Sequence, residues 1–257
     1  MPADSLRFEA FDSTCELFGE DLAQVRAWLA KMQRRLTRFD PRSELSRLNA
    51  GAGAWLEVSP ELEAILRAAL DAFAMSGGLV NVGVLNSMRA IGYTRTFSAG
   101  LGPVCLELAE PAPALPDVLA VRPGRARLRA GAGIDLGGVA KGWLADRAAE
   151  KLGQHSLANL GGDLFARGRW PVGMGGKTLL LEDQGAATSG TWRRRWQHGH
   201  HLVDPRTGLP STTDLLQVSV VAGSGFEAEV HAKTALLLGA DAAPSYLAAH
   251  CLAWELA

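Results

Sequence analysis

A chain of 257 residues with 47% hydrophobic content is long enough to bury a full core, as one large domain or two intimate ones. Its formal net charge of −1 gives no electrostatic footprint for nucleic acid or an anionic membrane, and no apolar run reaches the roughly 20 residues of a membrane span. The stretch MPADSLRFEAFDST lacks the basic start and apolar centre of a secretory signal, and Cys15, Cys105 and Cys251 match no metal spacing, so a cytoplasmic protein is expected.

In chain order, Leu22, Val25, Leu29, Met32 and Leu36 share one helical face, with charges opposite, and Pro41 breaks that helix. FDPRSELSRLN then begins a short turn or helix. A second helix opens at Ser59 with Pro60 in its first turn, carries Leu62, Ile65, Leu66, Leu70 and Phe73, and ends at Gly77 and Gly78. PAPALP reads as a surface loop, followed by a hairpin around Pro123-Gly124.

From Gly133 to Leu152 the chain reads GIDLGGVAKGWLADRAAEKL: an Asp, two glycines and a Lys-Gly pair at the mouth of an amphipathic helix. Unpaired N–H groups at a helix N-terminus carry partial positive charge and suit an anion such as phosphate. A strand-to-helix turn in which glycine merely permits tight geometry is the plainer reading. Short strands follow at SLANL, WPVGM, TLLLED and LLQVSVVAG, then a helix from about Phe226 to Leu238 and another before the C-terminus. Strands mixed with helices and hairpins indicate an α+β fold, and two long helices ahead of most strands argue against a Rossmann order.

Three further segments carry chemistry-bearing residues. In NLGGD, Asn159 and Asp163 flank a Gly-Gly turn of hairpin type. AATSGTWRRRW reads as a small-residue turn whose Thr188 and Ser189 hydroxyls can hold phosphate or ribose, or simply form local turns. Its run Arg193-Arg194-Arg195 reads as a solvated loop or strand edge. In GHHLVDPRTGLP, His201, Asp204 and Pro205 form one tight segment ending at Thr207-Gly208, and a His beside a positioning Asp is what a general base needs. A zinc site is not expected there, because His198, His200 and His201 lack a partner cluster with tetrahedral spacing.

The order DLGGVAKGWLAD, NLGGD, ATSG, HLVDPRTG, AEVHAKTA resembles the FAD:protein FMN transferases, also called the ApbE family. Upstream, FDPRSELSRLN and GLVNVGVL resemble two more of its segments, so the resemblance runs from about residue 8 to residue 240. It implies a single ApbE-like domain over 1–257, built as two intimately associated α/β lobes with a flavin cleft between them. It implies a transferase that, with Mg²⁺, moves FMN from FAD onto a Thr or Ser hydroxyl of an acceptor protein and releases AMP. By the same resemblance Asp135 and Lys141 contact FAD, as do Phe39 and the stretch Val80, Asn81, Val82. The Gly138 carbonyl and Glu229 fall in metal-ligand positions, His201 in that of the base, and Asp204 fixes the His201 segment.

Three departures qualify that reading. Phe11-Asp12-Ser13-Thr14 stands where members open with Met-Gly-Thr, and Asn81 stands where an Asp is usual. The metal helix, usually Ala-Asp-Ala-Leu-Ala-Thr, reads Ala228-Glu229-Val230-His231-Ala232-Lys233. Glu229 still offers a carboxylate, but Lys233 cannot ligate while protonated. Its ammonium either stands in for the metal or forms a surface i,i+4 pair worth about 0.2–0.5 kcal/mol. A one-residue shift would instead offer the Thr234 hydroxyl. The alternative function is therefore an FAD-binding protein or an FAD hydrolase with little or no transferase activity. The chain lacks the acceptor motif of a target, so automodification is not expected.

Overall fold

The computed structural model describes residues 4–174, 176–192, 194–196 and 199–257. Arg193 and His198, singled out above, lie outside the described residues. The N-terminal elements are β1 (Ser5–Ala10), β2 (Ser13–Phe18), α1 (Leu22–Leu36), α2 (Glu44–Ala50), β3 (Leu56–Glu57) and α3 (Pro60–Met75). Next come α4 (Leu85–Ala90), α5 (Leu115–Val118), β4 (Leu119–Arg122), β5 (Arg125–Leu128) and α6 (Ala140–Lys151). The remainder is β6 (Ser156–Leu160), β7 (Asp163–Met174), β8 (Lys177–Gly190), β9 (Arg195–Trp196), β10 (Gly199–His200), β11 (Gln217–Ala222), α7 (Gly225–Leu238), α8 (Ala243–His250) and β12 (Ala253–Leu256).

These elements form two compact units, neither of which is a contiguous block of sequence. One comprises residues 1–33, 140–190 and 213–257; the other comprises 34–139 and 191–212. The first unit holds a seven-stranded sheet in the order β1-β2-β6-β7-β8-β11-β12, with every neighbouring pair antiparallel. Phe11 and Asp12, at φ 56° and 54°, make the two-residue turn between β1 and β2, which twists with the strands it joins.

Helix α7 packs against α6, α8, β8 and β11 of this unit. Its buried residues include Ala228, Glu229, Val230, His231, Ala232, Thr234 and Ala235, so it has no solvent face of the usual width. Small residues let its start approach the sheet. A Cβ at Gly185 of β8 would lie 2.1 Å from the Gly225 nitrogen, and one at Gly142 of α6 would lie 2.3 Å from the Gly225 carbonyl oxygen. That contact is why a glycine follows the lysine in the Lys-Gly pair.

The second unit carries the three-stranded sheet β3-β5-β4 and the helices α2 to α5. Ser59 caps α3 by accepting the Leu62 N–H, and the β4–β5 hairpin turns at Pro123-Gly124 as expected. Asn49, which closes the SELSRLN segment, exchanges two hydrogen bonds with the Ile134 backbone, at 3.0 and 2.9 Å. That pins the strand-like approach to the glycine-rich turn onto α2.

Two expectations are corrected. Strand β7 begins at Asp163 rather than Trp170, because the Arg-Gly-Arg stretch is a bulge in a long hairpin, with Gly168 at φ 71° and its N–H on the Asp183 carboxylate. AATSG is not a turn. It is the end of β8, paired with β11 through Ser189↔Val218 and Thr188↔Ser219.

Asp146 on α6 holds the start of α7, accepting the N–H groups of Gly225 and Phe226 at 2.6 and 3.1 Å. Burial nevertheless pushes its carboxyl up to about 6. A folded-state value above the unfolded one means the folded protein binds this proton more tightly. The resulting stabilisation is fully present below about pH 4 and is lost as pH rises through about 6. Urea unfolding across that window should show about 3 kcal/mol of this loss in the wild type and none in Asp146→Asn. An identical slope in both proteins would place the titration elsewhere.

Candidate functional site

Within the first unit, α6, α7 and the start of β7 form two ion pairs, Lys141–Asp163 and Glu229–Lys233, the second tied to α6 through the Gly142 N–H. Lys141 forms an ion pair with Asp163, whose side chain is only 4% exposed. Glu229 is equally enclosed. One of its oxygens accepts the Gly142 N–H at 2.9 Å, a donor in the first turn of α6 that has no partner within the helix. Its other oxygen lies 3.5 Å from the Lys233 ammonium, and the two side chains are 3% and 14% exposed. The Glu229–Lys233 pair is therefore internal, not the solvated surface pair that i,i+4 spacing alone allows. Burial makes each partner depend on the other, since either charge left alone there is costly.

The arrangement does not fit a divalent ion on Glu229. Both carboxylate oxygens are engaged, one of them by a cation. A divalent ion placed about 4 Å from an ammonium would meet a repulsion on the order of 8 kcal/mol at an effective dielectric constant of 20. The Thr234 hydroxyl is buried and donates to the Val230 carbonyl at 2.8 Å within α7. Among the described residues no group of three or more His, Cys, Asp or Glu side chains could hold a metal. Gly138, the other candidate ligand, sits in the turn before α6 and belongs to the second unit.

Thr188 and Ser189 also lie in the first unit. Successive strand residues point to opposite faces, so their hydroxyls do not converge on one ligand. Thr188 is hydrogen-bonded to the Ser219 hydroxyl at 3.0 Å, and Ser189 is buried.

The remaining candidates fall in the second unit. Asp135 accepts the Gly137 N–H at 2.7 Å, and its own N–H donates to the Val82 carbonyl at 2.8 Å. Its other carboxylate oxygen is paired with Arg38, a residue the sequence reading did not single out. The Arg38 guanidinium lies over the rings of Phe39 and Tyr93, 4.3 and 4.9 Å from their centroids. Its Nη2 is buried with no hydrogen-bond partner among the described residues. Arg38 thus ties the aromatic group of Phe39, Tyr93 and Trp196 to the glycine-rich turn. The Arg-Phe order in TRFDP was the available signal, but Asp135 lies 97 positions away, beyond any spacing argument.

Val80 and Val82 are buried on either side of Asn81. The Asn81 side chain accepts the Gly83 N–H at 2.8 Å and donates to the Pro113 carbonyl at 2.9 Å. An Asp there would present a lone pair to the Pro113 carbonyl, so the departure to Asn has a local reason.

In the histidine segment, His200 is built into the loop. Its ring accepts the Leu202 N–H at Nδ1, which leaves Nε2 to donate to the Ser211 carbonyl, and burial lowers its proton affinity. His201 beside it is half-buried, with its backbone N–H on the Arg194 carbonyl. The Asp204 carboxylate is engaged by its own loop. It takes a two-pronged bond from the Arg206 guanidinium and the Arg206 N–H, while its backbone receives Gly208 and donates to Leu209. It closes the loop that carries His201.

A sequence model of the ApbE family matches residues 8–254. A Treponema pallidum protein named FAD:protein FMN transferase is 30% identical over 85% of this chain and 71% of its own length. A Klebsiella pneumoniae protein of the same name is 32% identical, but that match spans 41% of this chain and only 38% of the relative. Among solved structures, the Thermotoga maritima ApbE protein superposes with a TM-score of 0.83 at 20% identity, covering 96% of this chain and 90% of its own. The flavinyl transferase ApbE of Pseudomonas stutzeri gives 0.81 at 19% identity, over 95% and 89%. At those identities the structural likeness establishes the α+β fold, while the sequence matches establish descent. The chain belongs to the ApbE family, the FAD:protein FMN transferases.

Proposed function

We propose that this protein transfers the FMN part of FAD to a Thr or Ser hydroxyl of an acceptor protein and releases AMP. The observation that carries the reading is the pair of lysine–carboxylate contacts, Lys141–Asp163 and Glu229–Lys233, around the first turn of α6. Transfer of a phosphoryl group asks mainly for positioning and for neutralisation of charge on the diphosphate. Two ammonium groups held by packing, beside a helix start, supply both. The acceptor oxygen forms a bond to the phosphorus on the FMN side, and the bond from that phosphorus to the bridging oxygen breaks. The bridging oxygen leaves with AMP, and the hydroxyl proton goes to His201. Asp135, Phe39, Val80, Asn81 and Val82 are assigned to the flavin dinucleotide in this reading, with Arg38 holding Asp135 in place. A reducing, cytoplasmic location is part of the proposal, in keeping with the free thiols of Cys15, Cys105 and Cys251.

The Glu229–Lys233 pair also favours a second reading, FAD hydrolysis or FAD binding without transfer. Incubation with FAD, with and without a peptide bearing an acceptor Thr, separates the three. Transfer gives AMP only when the peptide is present, hydrolysis gives AMP in both samples, and binding alone gives none. The proposal expects the first pattern.

A further inference from the structure

We propose that Lys233 is the resident cation of the diphosphate site, so that the protein binds flavin dinucleotide without a divalent metal. This rests on the reading of FAD as the ligand and concerns what neutralises its diphosphate. The inference follows from how Glu229 is used. A buried carboxylate that served as a metal ligand would keep an oxygen available for the ion. Here one oxygen accepts the Gly142 N–H and the other faces the Lys233 ammonium, with both side chains nearly enclosed.

The pair is close to neutral before a ligand arrives, and it is held by the packing of α7 rather than by solvent. When a diphosphate approaches the first turn of α6, the ammonium, 3.5 Å from Glu229, shares its charge between that carboxylate and a phosphate oxygen. Lys141, on that turn and paired with Asp163 at the start of β7, adds a second positive group. The site then carries a fixed monovalent charge where a bound ion would otherwise be recruited.

Glu229 has opposite roles in the two schemes, and that gives the test its sign. If Lys233 is the working cation, Glu229 competes with the phosphate for it, and Glu229→Gln should tighten FAD binding several-fold. If Glu229 holds a metal, the same substitution should weaken it. Calorimetric titration of FAD into the full chain, in EDTA and in Mg²⁺, reads both. The expected results are wild-type dissociation constants within about two-fold of each other in the two buffers, and tighter binding by Glu229→Gln in EDTA. Lys233→Met should weaken binding in EDTA by tenfold or more, and riboflavin, which has no phosphate, should be indifferent to both substitutions. Lys233→Met strands a buried carboxylate, so the double variant Glu229→Gln/Lys233→Met, which strands no charge, is measured beside it and should be equally weak. A wild type that needs Mg²⁺ for a tenfold or greater gain, or a Glu229→Gln variant that binds more weakly, overturns the inference while leaving FAD as the ligand. A wild type that binds FAD in neither buffer overturns both.

Discussion

His201→Ala is expected to lower flavinyl transfer by about 10²–10⁴ at saturating FAD, the usual cost of losing a general base, and to leave FAD affinity within a few-fold. The separation follows from the loop. His200 bonds the Leu202 N–H and the Ser211 carbonyl and so anchors the loop. Asp204 closes the turn through Arg206, Gly208 and Leu209. Removing the imidazole of His201 therefore leaves the backbone that presents it intact. A base acts on the acceptor proton only as the new bond forms, so its loss belongs in turnover and not in ground-state binding. Single-turnover kinetics with calorimetry on the same variant check this. A variant that loses FAD affinity and keeps its turnover would make His201 a binding residue.

Gly142→Val is expected to destabilise the first unit strongly. Its Cβ would fall 2.3 Å from the Gly225 carbonyl oxygen, 2.7 Å from the Gly225 carbonyl carbon and 3.0 Å from the Phe226 Cα. Those are backbone atoms at the start of α7, fixed by Asp146 and by the close approach of Gly185. No flexible side chain can give way, so α6 and α7 must separate. Overpacking typically costs about 1–3 kcal/mol, and more where only backbone lines the site, and the Gly142–Glu229 bond is lost with it. Thermal unfolding with and without FAD should show a lowered midpoint and weakened stabilisation by the ligand. A midpoint unchanged from the wild type would mean that the two helices do not meet as described.

What the sequence made legible follows from where the burial is one-sided. Helices α1 and α3 bury one stripe each, so Val25, Leu29 and Met32, and Leu62, Ile65 and Leu66, announce them by spacing. Helix α7 is covered on most sides, so no single apolar stripe marks it. The end of β8 reads as a turn in sequence because Ala186, Ala187, Thr188, Ser189 and Gly190 have turn-like or small side chains, while the strand is imposed by pairing with β7 and β11. Gly185, just before them, lets the start of α7 reach the sheet.

The candidate site divides in the same way. Residues acting through their own segment were readable: the lysine at the start of α6, the His201 loop, the Asn81 stretch. Residues acting across the chain were not. Arg38 meets Asp135 over 97 positions, and Glu229 reaches the Gly142 N–H over 87. Lys233 was conspicuous in the sequence as a cation in a metal helix, but its burial beside Glu229 is a property of packing.

The central claim, transfer of FMN to a protein hydroxyl, is tested most directly by mass spectrometry of an acceptor peptide after incubation with the protein and FAD. The account predicts a peptide heavier by one FMN moiety, linked at its Thr and absent when that Thr is replaced by Ala. An unlabelled peptide, recovered while FAD is demonstrably bound to the protein, would contradict it.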